Sequence, residues 1–274
     1  VSELTVAQGL AQARAQGVDR LDAQMLLCAL LGQPRSWLLG HDTDPLPPDT
    51  TARFTELVAR RAQGEPLAYL VGDKEFYGLS LNVAPGVLVP RPDTETLVDW
   101  ALDVLPAEAP TRVLDLGTGS GAIALAVRSR RPHASLTAVD ASPEALAIAS
   151  GNARRLNLPL ELLAGSWFEP VGTRQFELIL SNPPYIAEGD PHLPALRFEP
   201  RQALTAGPDG LDDLRHIVAA APAHLVPGGW LLLEHGYDQA RQVQALLREA
   251  GFDEVSTRHD LAGQPRCTGG RWRG

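Results

Sequence analysis

The sequence predicts an α/β fold: a mostly parallel, Rossmann-like sheet preceded by a small helical bundle. Two observations lead there. From Thr111 onward, short apolar runs alternate with helix-period segments, as in strand–helix–strand units covered on both faces. Before Pro66 the apolar residues recur only at helical spacing. A chain of 274 residues exceeds the commonest single-domain size, which allows two modest domains. Because only 5% of residues are aromatic, Ala, Leu and Val must build most of the core.

In chain order, Thr5 caps a helix that runs through Gln16. Asp19 caps a second, whose Leu21, Met25, Leu26, Ala29 and Leu30 fall at helical spacing before Gly32 and Pro34 stop it. A third spans Asp49 to Gln63 and ends at Gly64 and Pro66, with Phe54, Leu57, Val58 and Arg61 marking its faces. Glu75–Tyr77 and Leu79–Val83 form a hairpin around Gly78. Pro90 to Glu95 opens a helix reaching Leu105, with Pro and acidic residues in its first turn. Strands follow at Val113–Leu116, Leu136–Val139, Leu160–Leu163, Phe176–Leu180, Trp230–Leu233, Val255–Arg258 and Arg266–Arg271. Helices occupy Ala122–Val127, Pro143–Asn157, Leu211–Ala221 and Tyr237–Ala250. The domain reading is a helical domain at 1–72, a hairpin linker at 73–89 and a Rossmann-like domain at 90–274.

A net charge of −9 argues against a broad nucleic-acid surface and leaves room for a basic protein partner. Cys28 and Cys267 have no metal-ligand spacing and are expected as two free, buried thiols. The start, Val1 to Leu10, lacks a basic segment followed by an apolar run, and no long uncharged apolar stretch occurs. The expectation is a cytoplasmic protein without a membrane partner.

The run Asp115-Leu116-Gly117-Thr118-Gly119-Ser120-Gly121-Ala122 reads as strand end, glycine turn and helix start. Glycines permit positive φ and let a ligand approach the backbone. Asp140 ends the next strand, where a carboxylate accepts from both hydroxyls of a ribose. The turn also satisfies a dinucleotide pattern ending at Ala122, so a nicotinamide cofactor competes on this segment. Asp115 favours S-adenosylmethionine, since a carboxylate there binds an amino group and repels a pyrophosphate. Trp167, after the third strand, is placed either against adenine or in the core.

Asn182-Pro183-Pro184-Tyr185 follows the fourth strand. An amide nitrogen is a poor nucleophile because its lone pair is delocalised, so it must present its π-face to the methyl donor. The Asn182 side-chain oxygen and the Pro183 carbonyl each accept one N–H of a substrate NH2. Those bonds strengthen as the nitrogen becomes electron-poor in the transition state. Pro183 and Pro184 stiffen the loop, and Tyr185 is expected to stack on the flat substrate group. Asn182 is thus an orienting acceptor, not a general base, and no metal is required. His235 is expected as a hydrogen-bonded structural residue.

These motifs resemble the peptide chain release factor glutamine N5-methyltransferases, the HemK/PrmC family. The resemblance extends over Pro66 to Gly72, Glu75 to Gly78, Val89 to Glu95, Phe198 to Arg201, Asp209 to Leu211 and Pro227 to Gly236. It implies a class I S-adenosylmethionine-dependent methyltransferase with a seven-stranded sheet, and S-adenosylhomocysteine as product. It implies as substrate the glutamine of Gly-Gly-Gln in class I release factors, with the amino-terminal bundle helping to dock them and no direct nucleic acid contact. It further implies that Gly117, Thr118, Gly119, Ser120, Gly121, Asp140, Trp167 and Asn182 contact the cofactor, and that Asn182 to Tyr185 hold the glutamine amide. Where the family commonly has an acidic residue able to bind the adenine amino group, this chain has Ser166. The residues alone leave two rivals: a nucleic acid amino-group methyltransferase acting on an extruded base, and a non-catalytic adaptor for release factors or ribosomes.

Overall fold

The computed structural model describes residues 4–274 and divides into two compact units, with the boundary between Asp73 and Lys74. The first unit holds α1 (Val6–Ala15), α2 (Arg20–Leu31), α3 (Arg35–Gly40), α4 (Pro48–Ala62) and α5 (Leu67–Val71). Thr5 and Gln8 form a reciprocal capping box at α1. Asp19 caps α2 by accepting from the Leu21 amide at 2.7 Å, and Gly32 closes it in the left-handed conformation. Val6, Leu26, Leu27, Leu38, Phe54, Leu57 and Val58 make the core.

Two features of this unit differ from the sequence reading. The first is α3 and α5, which open directly after Pro34 and Pro66. Both prolines were read as stops, yet a proline that cannot continue one helix pre-sets the entry to the next. The second is the buried stripe of α2, which is Ala23, Leu26 and Leu27, while Leu21 and Met25 are 47% and 37% exposed. This helix carries apolar residues on most of its circumference, so packing against α4 selects the inward face.

A hairpin follows, β1 (Asp73–Phe76) and β2 (Leu79–Asn82), all but its first residue belonging to the second unit. Tyr77 and Gly78 connect them with φ of 51° and 79°, the two positive values a type I′ turn requires. The strands and helices that follow are α6 (Glu95–Val104), β3 (Arg112–Leu116), α7 (Ala122–Arg130), β4 (Ser135–Asp140), α8 (Pro143–Leu156), β5 (Glu161–Ala164) and β6 (Phe176–Ser181). The unit ends with α9 (Asp212–Ala220), β7 (Leu225–Glu234), α10 (Ala240–Glu249), β8 (Phe252–His259) and β9 (Pro265–Trp272). Seven strands form one sheet in the order β5-β4-β3-β6-β7-β9-β8. Neighbours from β5 to β7 pair in parallel, and β9 runs antiparallel to both of its partners. Alternate residues face opposite layers. Val113, Leu178 and Leu232 pack with α6 and α7, whereas Leu114, Ile179 and Leu231 pack with α9 and α10. β7 starts at Leu225, ahead of the predicted Trp230, because Phe176 already pairs with Leu225 before an irregularity near Leu178.

Both cysteines are free; Cys267 is buried as expected, but Cys28 is only partly covered. Among the described residues no helix is long and apolar enough to cross a membrane.

Asn152 of α8 ties the hairpin to the glycine turn. Its Oδ1 accepts from the Asn82 amide at 2.7 Å, and its Nδ2 donates to the Asn82 and Ser120 carbonyls at 3.0 and 2.9 Å. The side chain is fully buried, and truncation removes the partner of three backbone groups, the Ser120 carbonyl among them in a buried position. Asn152→Ala is expected to lower the unfolding free energy by about 2–3 kcal/mol, read from urea melts. A loss below about 0.5 kcal/mol would show that these groups find other partners.

Candidate active site

Sheet register assembles the site. Leu116 of β3 pairs with Val139 of β4 and Ser181 of β6, and Ser181 pairs with Leu233 of β7. The next residue on each strand is therefore Gly117, Asp140, Asn182 and Glu234, side by side along one edge of the sheet. From β3 the strand order proceeds to β4 and β5 on one side and to β6 and β7 on the other. The connections diverge between β3 and β6 and leave a crevice at their carboxyl ends. The Ser181 hydroxyl donates to the Leu116 carbonyl at 2.8 Å and pins the two strand ends together.

Gly117, Gly119 and Gly121 have φ of 71°, 55° and 84°, so the turn needs glycine at all three positions. The amides of Gly117 and Thr118 both donate to the Val139 carbonyl, at 2.9 and 3.0 Å. Asp140 braces the turn from the neighbouring strand. Its Oδ2 accepts from the Gly119 amide at 2.8 Å and its Oδ1 from the Ser142 amide at 2.9 Å. Each oxygen keeps a further lone pair, so the carboxylate is fixed and still able to accept. Trp167 closes over the turn, its ring 3.6 Å from where a Gly117 Cβ would stand. Its own φ of 47° is rare for a bulky side chain and marks a position held against local preference.

The Asn182 Nδ2 donates to the Thr94 hydroxyl at 3.3 Å, which leaves its Oδ1 uncommitted. Tyr185 is anchored from several sides. Its amide donates to the Leu204 carbonyl, its carbonyl accepts from Gln239 Nε2 at 2.9 Å, and its hydroxyl donates to Glu234 Oε1 at 3.1 Å.

These parts surround a cavity of about 270 Å³. Of the residues singled out from sequence, Gly117, Thr118, Gly119, Ser120, Asp140, Trp167, Asn182 and Pro184 line it. Asp115, Gly121, Pro183 and Tyr185 do not. Asp115 sits fully buried beneath the turn, its Oδ2 accepting from the Thr118 hydroxyl at 2.6 Å. Gly121 starts α7 where a Cβ would press on Leu125 and Ala149. Pro183 is buried, and Tyr185 packs into the core beside Glu234.

Sequence reading gave Arg91 and Thr94 no role in the site, although their segment was read as a helix start and as part of the family resemblance; both stand on the cavity wall. It also missed the tie across the mouth. Buried Glu199 accepts from the Val89 amide at 3.0 Å and pairs with Arg91. The tie joins segments more than a hundred residues apart, which no local pattern reveals.

Burial governs the electrostatics. It pushes Asp115 up to about 6 despite the Thr118 bond, and Asp115 Oδ1 has no hydrogen-bond partner. It pushes Glu234 up to about 7, with Thr94 and Arg266 working against it. The Tyr185 hydroxyl is driven well above its usual range by burial and by the nearby Glu234 charge. His235 is buried and structural as expected: Nδ1 bonds the Gly236 carbonyl at 2.8 Å, so Nε2 accepts from the Thr268 hydroxyl at 2.7 Å. Burial lowers its proton affinity.

A seven-stranded sheet of this order, with a glycine turn after β3 and an Asn-Pro-Pro-Tyr loop after β6, defines a class I, Rossmann-like methyltransferase. Solved structures of that fold agree. A methyltransferase from Pyrococcus furiosus is 20% identical, with 82% of this chain and 98% of the other covered at a TM-score of 0.56. The Thermus thermophilus 16S rRNA N2 G1207 methyltransferase is 21% identical, with 73% and 50% covered at 0.56. The methyltransferase small domain family matches residues 94–197, and the PrmC N-terminal domain family matches residues 5–72. The release factor glutamine methyltransferase of Bordetella pertussis is 53% identical over 93% of this chain and 95% of its own length. That of Pseudomonas aeruginosa is 52% identical over 92% of each. The chain belongs to the release factor glutamine methyltransferase family.

The two raised carboxyls have a consequence for stability. Each holds its proton more tightly folded than unfolded, so its contribution is full at low pH and falls as pH rises. The fall spans 3.8 to about 6 for Asp115 and 4.5 to about 7 for Glu234, and then levels off. Asp115→Asn and Glu234→Gln remove the ionisation. The melting temperature of each variant, relative to wild type, is therefore expected to rise between pH 5 and 7. A difference independent of pH would show that neither group resists ionisation.

Proposed function

We propose that the protein transfers a methyl group from S-adenosylmethionine to the side-chain amide nitrogen of the glutamine in the Gly-Gly-Gln motif of class I release factors. One observation carries the reading: Asn182, with its Oδ1 uncommitted, shares a cavity with the glycine turn and Asp140. Family membership supports the substrate, and the amino-terminal unit is proposed to help dock it.

The residues present fit the cofactor. The backbone of Gly117 to Ser120 offers a wall without side-chain obstruction at its glycines, and Asp140 presents a fixed carboxylate suited to ribose hydroxyls. The Trp167 indole lines the same space and is suited to an adenine face or edge. Bound there, the cofactor supplies an electrophilic methyl on a sulfonium whose departure leaves a neutral thioether. The chain's own residues do the rest. Thr94 holds one end of the Asn182 amide, so the other accepts a substrate N–H. The Pro183 carbonyl is proposed as the second acceptor. Two fixed acceptors turn the nitrogen's π-face toward the methyl and grip harder as the nitrogen loses electron density, and the methylated nitrogen then sheds one N–H proton to water. Pro184 walls the pocket, and Tyr185, outside it, holds the loop's far end. Asp115 is proposed to act beneath the turn, steadying Thr118.

Incubation with methyl-labelled S-adenosylmethionine and an unmethylated release factor is expected to add one methyl to the Gly-Gly-Gln glutamine, located by peptide mass spectrometry. Label only in RNA or DNA supplied in parallel would overturn the reading. Asn182→Ala is expected to lower kcat about 100-fold with cofactor affinity little changed. Asp140→Ala is expected to weaken cofactor binding about 10- to 100-fold by calorimetry. Near-wild-type turnover in the first variant, or unchanged affinity in the second, would remove the assigned role.

A further inference from the structure

The cavity wall carries a carboxylate assigned to neither the cofactor nor the glutamine amide. Asp213, in the first turn of α9, lines the same space as Asn182 and Asp140 and is partly buried. The neighbouring acids are committed, since Arg215 pairs with both Asp209 and Asp212. Among the described residues no hydrogen bond or ion pair engages the Asp213 carboxylate; burial raises its proton affinity, with His216 one turn along working against it. A carboxylate drawn partly out of water without a donor costs stability, and a donor arriving with a ligand offsets that cost. Backbone pairing places Asp213 on the substrate side of the cavity. The amides of Tyr185 and Ile186 donate to the Leu204 carbonyl, and the Ala206 amide donates to the Ile186 carbonyl. The Asp212 amide donates in turn to the Ala206 carbonyl at 3.4 Å. Gln239 Nε2 lies between the Tyr185 carbonyl at 2.9 Å and the Gly210 carbonyl at 3.4 Å. Gly210 comes so close that a Cβ there would strike the Tyr185 carbonyl oxygen. The start of α9 is thus built onto the far end of the Asn-Pro-Pro-Tyr loop and carries Asp213 with it, whereas Asp140 is fixed to the glycine turn.

We propose that Asp213 is a substrate-binding residue: its carboxylate accepts a backbone N–H of the peptide that carries the glutamine, while Asn182 holds the side-chain amide. The proposal rests on the reading of the Gly-Gly-Gln segment as substrate. That segment brings one polar side chain, so a site that recognises its glycines must contact their backbone. A backbone N–H that leaves water on entering the cavity needs a new acceptor. Of the two acidic residues on the wall, Asp140 serves the turn and the ribose, and Asp213 is left. The backbone N–H does not change charge as the methyl moves. Its bond to Asp213 is therefore equally strong in the ground and transition states, and its loss falls on KM and not on kcat.

Asp213→Ala is expected to raise KM for an unmethylated release factor about 10- to 100-fold, with kcat within about threefold and cofactor affinity by calorimetry unchanged. An unchanged KM, or a loss that appears in cofactor affinity instead, would overturn the proposal. Asp212→Asn removes the same charge outside the cavity and is expected to leave KM near wild type. An equal rise in that variant would reduce the effect to net charge and defeat the assignment. Asp213→Asn keeps an acceptor oxygen at nearly the same volume, which also guards against poor folding of the alanine variant. Its KM is expected between those of wild type and Asp213→Ala, because the neutral oxygen accepts more weakly than the carboxylate. If Asn did no better than Ala, the partner would be a cation and not a backbone N–H, and the proposal would fall. Binding is also read apart from turnover. With S-adenosylhomocysteine bound, fluorescence anisotropy of a labelled release factor is expected to show the same weakening in Asp213→Ala. Absence of any methyl transfer by wild type would defeat the functional reading. The anisotropy comparison would still decide whether Asp213 grips the release factor, and equal affinity of the two proteins would show that it does not.

Discussion

Leu116, Val139, Ser181 and Leu233 lie in one row across four parallel strands, and the site depends on that row. Parallel strands end at the same edge, so residues far apart in the chain leave the sheet as neighbours. Slipping a strand by one residue would turn every side chain to the other face and carry its apolar set out of the core. Register is therefore held by the two packed layers, and the layers indirectly hold Gly117, Asp140, Asn182 and Glu234 together. The Ser181 hydroxyl on the Leu116 carbonyl adds a direct fastening where β3 and β6 diverge.

Around that row, polar groups, most of them buried, are used as braces. Asp140 fixes the glycine turn from β4, Asn152 fixes it from α8, and Asp115 steadies Thr118 from below. Glu199 joins the segment before α6 to the long connection after β6. Each brace replaces a hydrogen bond to water with one to a chosen group of the chain, so its net stabilisation is small while its directional effect is large. The raised proton affinities of Asp115 and Glu234 show where that strategy costs stability.

Local patterns revealed the alternation of strands and helices, the caps at Thr5 and Asp19, the glycine turn and the Asn-Pro-Pro-Tyr loop. Each of these depends on neighbours within a few residues. The reading faltered where a choice was made at longer range. Pro34 and Pro66 begin helices as well as ending them, and α2 hides Leu27 while leaving Leu21 and Met25 outside. Within the site, residue type identified Asp140 and Asn182 and placed both on the cavity. The same reasoning placed Asp115 and Tyr185 against ligand, whereas the structure sets both behind the wall.

The amino-acid sequence by itself determined the chemistry available: three glycines able to take positive φ, a carboxylate at a strand end, and a stiff loop led by an amide. It also determined the secondary structure that presents them, since periodicity and capping are local. Only the tertiary structure decided which groups touch a ligand and which support those that do. Exposure and hydrogen-bond direction depend on partners brought in by the sheet, such as Thr94 beside Asn182 and Glu234 beside Tyr185. Those pairs are separated by 88 and 49 residues, and the low-dielectric interior that shifts the proton affinities of Glu234 and Tyr185 exists only once the layers have closed.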